Sequence, residues 1–280
     1  MRILVTGGSG YLGTHVRRFF NADDFSRRSG NDVLNTEDVK LAANYDVVVH
    51  LAAYLDKSEA GADLSFRTNA EGAVNIIRNL QPNSVFIYAS TKDVYGSHAD
   101  SYEQIPETCS TEYCGQTPFE WSKLLGERCI EYYAHQRNVR SCIFRMSTVY
   151  ARSSEGNEPG FVTHYVESIK RRKPIAVPLA GRPVRDILHV DDLSRACRAF
   201  IDSSVAAGLY NLGGGTHNAA SLGEIIDAVG KLIQIEPEVV DDETLPHPVP
   251  VNYVSDLRRI REQLGWQPEI GIEEGLRSLL

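Results

Sequence analysis

Apolar positions along this chain fall into two textures, short unbroken runs and longer stretches at helical spacing, and the two alternate. In RILVTGGSGYLGTHVRRFF the run Arg2 to Val5 reads as a buried strand, glycines interrupt it, and the spacing that follows is helical. A truncated second strand ends near Asp24-Phe25-Ser26-Arg27-Arg28, and a third is expected to end at Asp32-Val33. The run DVVVHLAA, residues 46–53, predicts a fourth strand of the kind a parallel sheet buries on both faces. A helix over 67–80 (RTNAEGAVNIIRNL) and a strand over 84–90 (SVFIYAS) continue the alternation, which predicts an α/β fold with a doubly wound parallel sheet.

Beyond residue 150 the pattern is less regular. Residues 151–185 open on a polar, glycine-bearing loop before helical spacing resumes, RDILHVDDLSRACRAFID reads as a strand and helix of the large domain, and YNLGGG leads into a small α/β lobe. The expected division is a large domain over 1–150 and 186–207 and a lobe over 151–185 and 208–280. Ser221 and Glu224 form an S-x-x-E capping box, Gly265 is placed to close a helix, and Trp266 is expected to pack the lobe.

Composition narrows the function classes. Apolar residues make up 42% and charged residues 24%, with a net charge of -8. The basic residues form no long stripe, so no nucleic-acid partner is expected, and the run Lys170-Arg171-Arg172-Lys173 reads as a solvated helix end. No stretch approaches the roughly 20 apolar residues of a membrane span, so neither a signal peptide nor a membrane partner is expected. The five cysteines are odd in number and lack metal-binding spacing, which points to reduced thiols, no metal, and a cytoplasmic protein.

The glycines of TGGSGYLG carry the first chemistry. Standing between a strand and a helix, Gly7 permits a tight turn, Gly10 lets backbone N–H groups approach a pyrophosphate, and Gly13 lets the helix lie close. This is the context of a Rossmann-type dinucleotide site, with Tyr11 and Leu12 inside the turn. Arg27 and Arg28 stand where a second strand ends beside the adenosine ribose; arginines there suit the 2'-phosphate of NADP, with NAD the alternative. Asp32 and Val33 are candidates for the adenine, Leu51, Ala52 and Ala53 for a strand end over which the cofactor passes, and Asn69 for a helix start or backbone clamp.

TGGSGYLG, DVVVHLAA, RTNAEGAVNII, YASTKDVYG, WSKLLGE, CIFRMSTVY, RPVRDILHVDDL and YNLGGG follow in order, and together they resemble the extended short-chain dehydrogenase/reductase family, the NAD(P)-dependent nucleotide-sugar epimerases and dehydratases. Within it, STKDVYG, RPVRDILHVDDL and NLGGGTHNAASL are similar to members that epimerise CDP-sugars such as paratose to tyvelose. The resemblance implies a nucleotide-sugar substrate, a homodimer through two helices, and catalysis by a Ser/Thr, a Tyr and a Lys. Thr91 and Lys123 occupy the first and last of those places, Lys123 also serving the cofactor. The tyrosine position holds Phe119, which keeps the ring and loses the only titratable atom.

Three accounts fit Phe119: an engineered replacement of tyrosine, an acid/base function moved to Lys92, Asp93, Cys114 or Glu120, and a non-catalytic dinucleotide-binding regulator. The family's dehydratases carry two acidic residues after the threonine, whereas here the first is Lys92, which leaves Asp93 alone. Candidate substrate contacts are Thr91, Lys92, Asp93, Thr148, Asn157, Arg182 and Arg185, the arginines because a guanidinium grips phosphate oxygens in pairs. The expected activity is epimerisation through transient hydride transfer, with an NADPH-dependent reductase of a 4-keto sugar as the alternative.

Overall fold

The computed structural model describes residues 1–153, 156–246 and 249–280. Strands β1 (Ile3–Thr6), β2 (Asp23–Phe25), β3 (Val47–His50), β4 (Val85–Thr91) and β5 (Arg140–Met146) run through the first half of the chain. With them are helices α1 (Gly13–Phe20), α2 (Ala62–Ser65), α3 (Gly72–Asn79) and α4 (Pro118–Arg137). The second half adds β6 (Thr148–Tyr150), α5 (Phe161–Lys170), β7 (Ile175–Val177), β8 (Val184–His189), α6 (Val190–Asp202) and β9 (Ala207–Leu212). It ends with β10 (Ala219–Ser221), α7 (Leu222–Ile233), β11 (Val239–Asp241), α8 (Arg258–Leu264) and α9 (Ile272–Ser278).

A six-stranded, all-parallel sheet of order β2-β1-β3-β4-β5-β9 is the centre of the molecule. Alternate residues of its unbroken apolar runs feed two cores. Val5, Val47, Val49, Ile87 and Phe144 meet Val16 of α1 and Leu193 and Phe200 of α6 on one face. Leu4, Val48, Phe86 and Ile143 meet Ile76 and Ile77 of α3 and Ile130 of α4 on the other. Burial on both faces is why these strands read as continuous runs and not as alternation. A third core joins α5, α7 and α9 beside the sheets β10-β8-β6 and β11-β7.

Three expectations need correction. No strand forms at Asp32-Val33: the Asp32 carboxylate accepts from Leu34 N–H at 2.9 Å and Asn35 from Glu37 N–H at 2.9 Å, so side chains take the backbone groups a ladder would use. The strand beginning at Ala207 pairs with β5 in the main sheet, so a lobe starting at 208 would cut that strand, while 184–189 lies in the three-stranded sheet. Trp266 packs the large core, its Nε1–H donating to Asp192 O at 3.2 Å. The capping box at Ser221 and Glu224 and the left-handed Gly265 closing α8 are present as expected.

Candidate functional site

The carboxyl ends of β1, β3, β4 and β5 open into one cleft of about 510 Å³. Its outer half is built by the glycine turn. Gly7 has φ +68°, and a Cβ there would stand 2.8 Å from Ala52 N; one at Gly13 would stand 2.1 Å from Gly7 O. Side chains are thus excluded where the backbone folds on itself, and Gly13 serves the turn more than the strand. The cleft is also lined by Gly10, Tyr11, Leu12, Arg27, Arg28, Asp32, Val33, Leu51, Ala52 and Ala53, so the elongated cradle of backbone and small residues fits a dinucleotide.

The inner half holds Thr91, Phe119 and Lys123. Pro118 at the first turn and a capping box between Thr117 and Glu120 start α4 immediately before Phe119, which puts Phe119 and Lys123 one turn apart on the buried face. Lys123 Nζ donates to Ala89 O at 2.8 Å and lies 4.9 Å from the Tyr88 ring centroid. Burial pulls its pKa down to about 7, against the opposing charge of Glu127. Behind it, His50 is fully buried, its Nδ1 3.0 Å from Thr6 Oγ1; burial and then the Lys123 charge lower its pKa to about 3 and keep the ring neutral.

A charged cluster borders this end. Lys57 Nζ lies 3.1 Å from Asp93 Oδ2 and 2.7 Å from Glu120 Oε1, and Lys92 contacts the other Asp93 oxygen from the buried side. Burial alone would raise the Asp93 pKa, but Lys92 and Lys57 outweigh it and hold the carboxyl well below the usual range.

Residues 3–213 match the model of the NAD dependent epimerase/dehydratase family. The chain belongs to that family. It is similar to the CDP-paratose 2-epimerase of Salmonella typhi, 25% identical over an alignment of 333 positions that covers 100% of this chain and 98% of the relative. Among solved structures it resembles a tyrosine-to-phenylalanine mutant of the UDP-glucuronic acid 4-epimerase of Bacillus cereus, in complex with UDP-4-deoxy-4-fluoro-glucuronic acid and NAD. The TM-score is 0.83 at 23% identity, covering 99% of this chain and 97% of that one. RMD of Pseudomonas aeruginosa, complexed with NADPH, has TM-score 0.83 at 22% identity, covering 100% and 98%.

For this epimerase/dehydratase chain the cofactor is a nicotinamide dinucleotide, and the geometry sorts the expected site residues. Sixteen positions named from the sequence do line the cleft, Asn157 among them, but Asn157 stands at the outer end: it accepts from Arg28 Nη1 at 2.9 Å and donates to Ser9 O at 3.1 Å. Asn69 does not line it; its buried amide clamps Tyr54 N–H and O and takes up Ser122 Oγ. Arg185 is spent on the carbonyls of Val184, Pro250 and Val251. Arg182 is exposed, Thr148 heads β6, and Cys114 Sγ is turned to Tyr95 O, all outside the cleft wall. Glu120 is occupied by its own helix cap and Lys57. Sequence reasoning passed over Ser9, Ser90, Met146 and Ser147, which stand inside the family motifs at positions with no chemistry of their own to mark them, and Ser26 in the wall and Lys57 at its border, which stand in none of those motifs.

Proposed function

We propose that this chain changes a nucleotide-linked sugar by transient hydride transfer, as an epimerase that keeps and regenerates its dinucleotide. The observation that carries the reading is the convergence of Thr91, the Phe119 ring and Lys123 at the inner end of one cleft whose outer end is the glycine turn. The bound dinucleotide would supply the hydride acceptor and donor. Gly7, Gly10 and Gly13 would hold its pyrophosphate, Lys123 its nicotinamide ribose, and Arg27 and Arg28 the 2'-phosphate of NADP in preference to the bare ribose of NAD. Thr91 would hold a sugar hydroxyl, with Phe119 filling the place of the phenol against the ring.

The relatives' names support a nucleotide sugar as the substrate, and the CDP-paratose 2-epimerase supports epimerisation. A cytoplasmic homodimer through α4 and a second helix completes the proposal; exposed Leu125 and Tyr132 on α4 support that face. The second reading, a net reductase of a 4-keto sugar, is favoured by the arginine pair at the ribose end. A panel of CDP-, dTDP- and UDP-linked hexoses separates the readings. An isomer formed without net loss of NADPH is the expected outcome. Stoichiometric NADPH loss would install the reductase, and binding of dinucleotide without turnover of any sugar would leave a regulatory protein.

A further inference from the structure

Phe119 removes a hydroxyl from the inner end of the cleft, yet a proton-bearing group stands against its ring. Lys57, in the loop after β3, places Nζ 5.7 Å from the Phe119 ring centroid. Two carboxylates hold it there, Asp93 at 3.1 Å and Glu120 at 2.7 Å. Asp93 N–H donates to Thr91 Oγ1 at 3.2 Å, and Glu120 directly follows Phe119. One ammonium group therefore ties the strand end that carries Thr91 to the helix turn that carries Phe119.

The neighbours cannot take its place. Asp93 is kept ionised by two lysines and has no proton to give. Glu120 is engaged by Thr117 and Lys57, Lys92 is buried against Asp93, and Lys123 is committed to Ala89 O. The Lys57 side chain is 52% exposed, against 19% for Asp93 and 4% for Glu120, so it is the member of this cluster that water can reprotonate.

We propose that Lys57 is the proton donor of this site, acting on the sugar oxygen that a phenol at position 119 would otherwise serve. The proposal rests on the nucleotide-sugar reading above. As the carbonyl carbon of the sugar accepts hydride from a reduced nicotinamide dinucleotide, the C=O π pair moves to oxygen. An N–H bond of Lys57 breaks, an O–H bond forms, and the amine recovers its proton from water. In the opposite direction the free amine takes the hydroxyl proton. Burial draws the Lys57 pKa down, but Asp93 and Glu120 more than offset this and leave it raised. The group is thus a donor at neutral pH, and proton removal by it strengthens only in alkaline solution.

The test uses the full chain with Lys57→Met, Lys57→Arg and the double variant Lys57→Met/Phe119→Tyr, assayed on the sugar that the wild type converts best in the panel. Arginine keeps the charge and both carboxylate partners but does not release a proton at usable pH. Both single variants are therefore expected to lose roughly 100-fold or more in turnover, and the added phenol to restore part of it. A Lys57→Arg enzyme as fast as wild type overturns the donor role while leaving the nucleotide-sugar reading intact. A wild type that binds dinucleotide but converts no sugar removes that reading and Lys57 with it. NMR titration of isotope-labelled lysine in the ligand-free protein is the readout independent of turnover: Lys57 is expected to stay charged through neutral pH, and a midpoint near pH 7 overturns the proposal.

Discussion

Lys123 enters the folded protein at an electrostatic cost, because its ammonium has one carbonyl and an aromatic face in place of water. Its pKa falls from 10.5 to about 7 on folding. Between those values the unfolded chain binds more protons than the native one, so stability rises with pH across that window; below it both states are protonated and the full burial penalty stands. Thermal unfolding of the ligand-free protein should show Tm increasing from pH 7 into the alkaline range. Lys123→Met should raise Tm at pH 7 and flatten that increase, and a slope indifferent to the substitution would count against a buried ammonium. At Gly13, alanine would press a Cβ to 2.1 Å from Gly7 O. Gly13→Ala is expected to cost about 1–3 kcal/mol in denaturant titration and to abolish dinucleotide binding.

Among the elements, α4 is held to the sheet by a buried ion pair. Glu127 accepts from Arg145 Nη2 at 2.7 Å and Nε at 3.0 Å, and also from Ser90 Oγ, which joins the helix to β5 and to β4 just before Thr91. Both side chains are nearly inaccessible, so Glu127→Ala should leave a buried guanidinium unpaired and cost about 3–5 kcal/mol, measured by urea unfolding. This link was invisible in the sequence, where Glu127 and Arg145 share no local spacing. What was legible followed from local chemistry. Runs buried on both faces announced β1, β3 and β4; glycines between strand and helix announced the turn; and Ser221 with Glu224 announced the start of α7. The misplacements at β9 and at Trp266 share a cause, since each depends on which distant segment supplies the partner, whereas at 32–33 nearby side chains cap the backbone locally. Arg185 shows the same limit in the candidate site: its motif suggested phosphate, but carbonyls at 250 and 251 claimed the guanidinium.

For the whole molecule, Arg28 is one of the residues that bridge distant parts of the chain at the cleft mouth. Its guanidinium donates to Ser9 O beside the glycine turn and to Gly156 O and Asn157 Oδ1 across from it. A 2'-phosphate arriving there would exchange neutral acceptors for a charged one. Arg28→Ala is accordingly expected to weaken NADP binding about tenfold or more relative to NAD in calorimetric titration, the scale of a charge-assisted hydrogen bond. Equal weakening of both dinucleotides would show instead that the arginine acts only by joining the two segments.

The strand that did not form at Asp32-Val33 leaves β2 as one of the two edges of the central sheet. A rim of unpaired backbone invites a second chain to add a strand, and proteins resist this by keeping such strands short and charged. β2 is three residues long, and it carries Asp23, bound by Tyr45, and Asp24, paired with Arg17. These two carboxylates thus guard the edge against aggregation. Replacing both with valine is expected to increase light scattering on storage at high concentration, even where the cleft still binds dinucleotide.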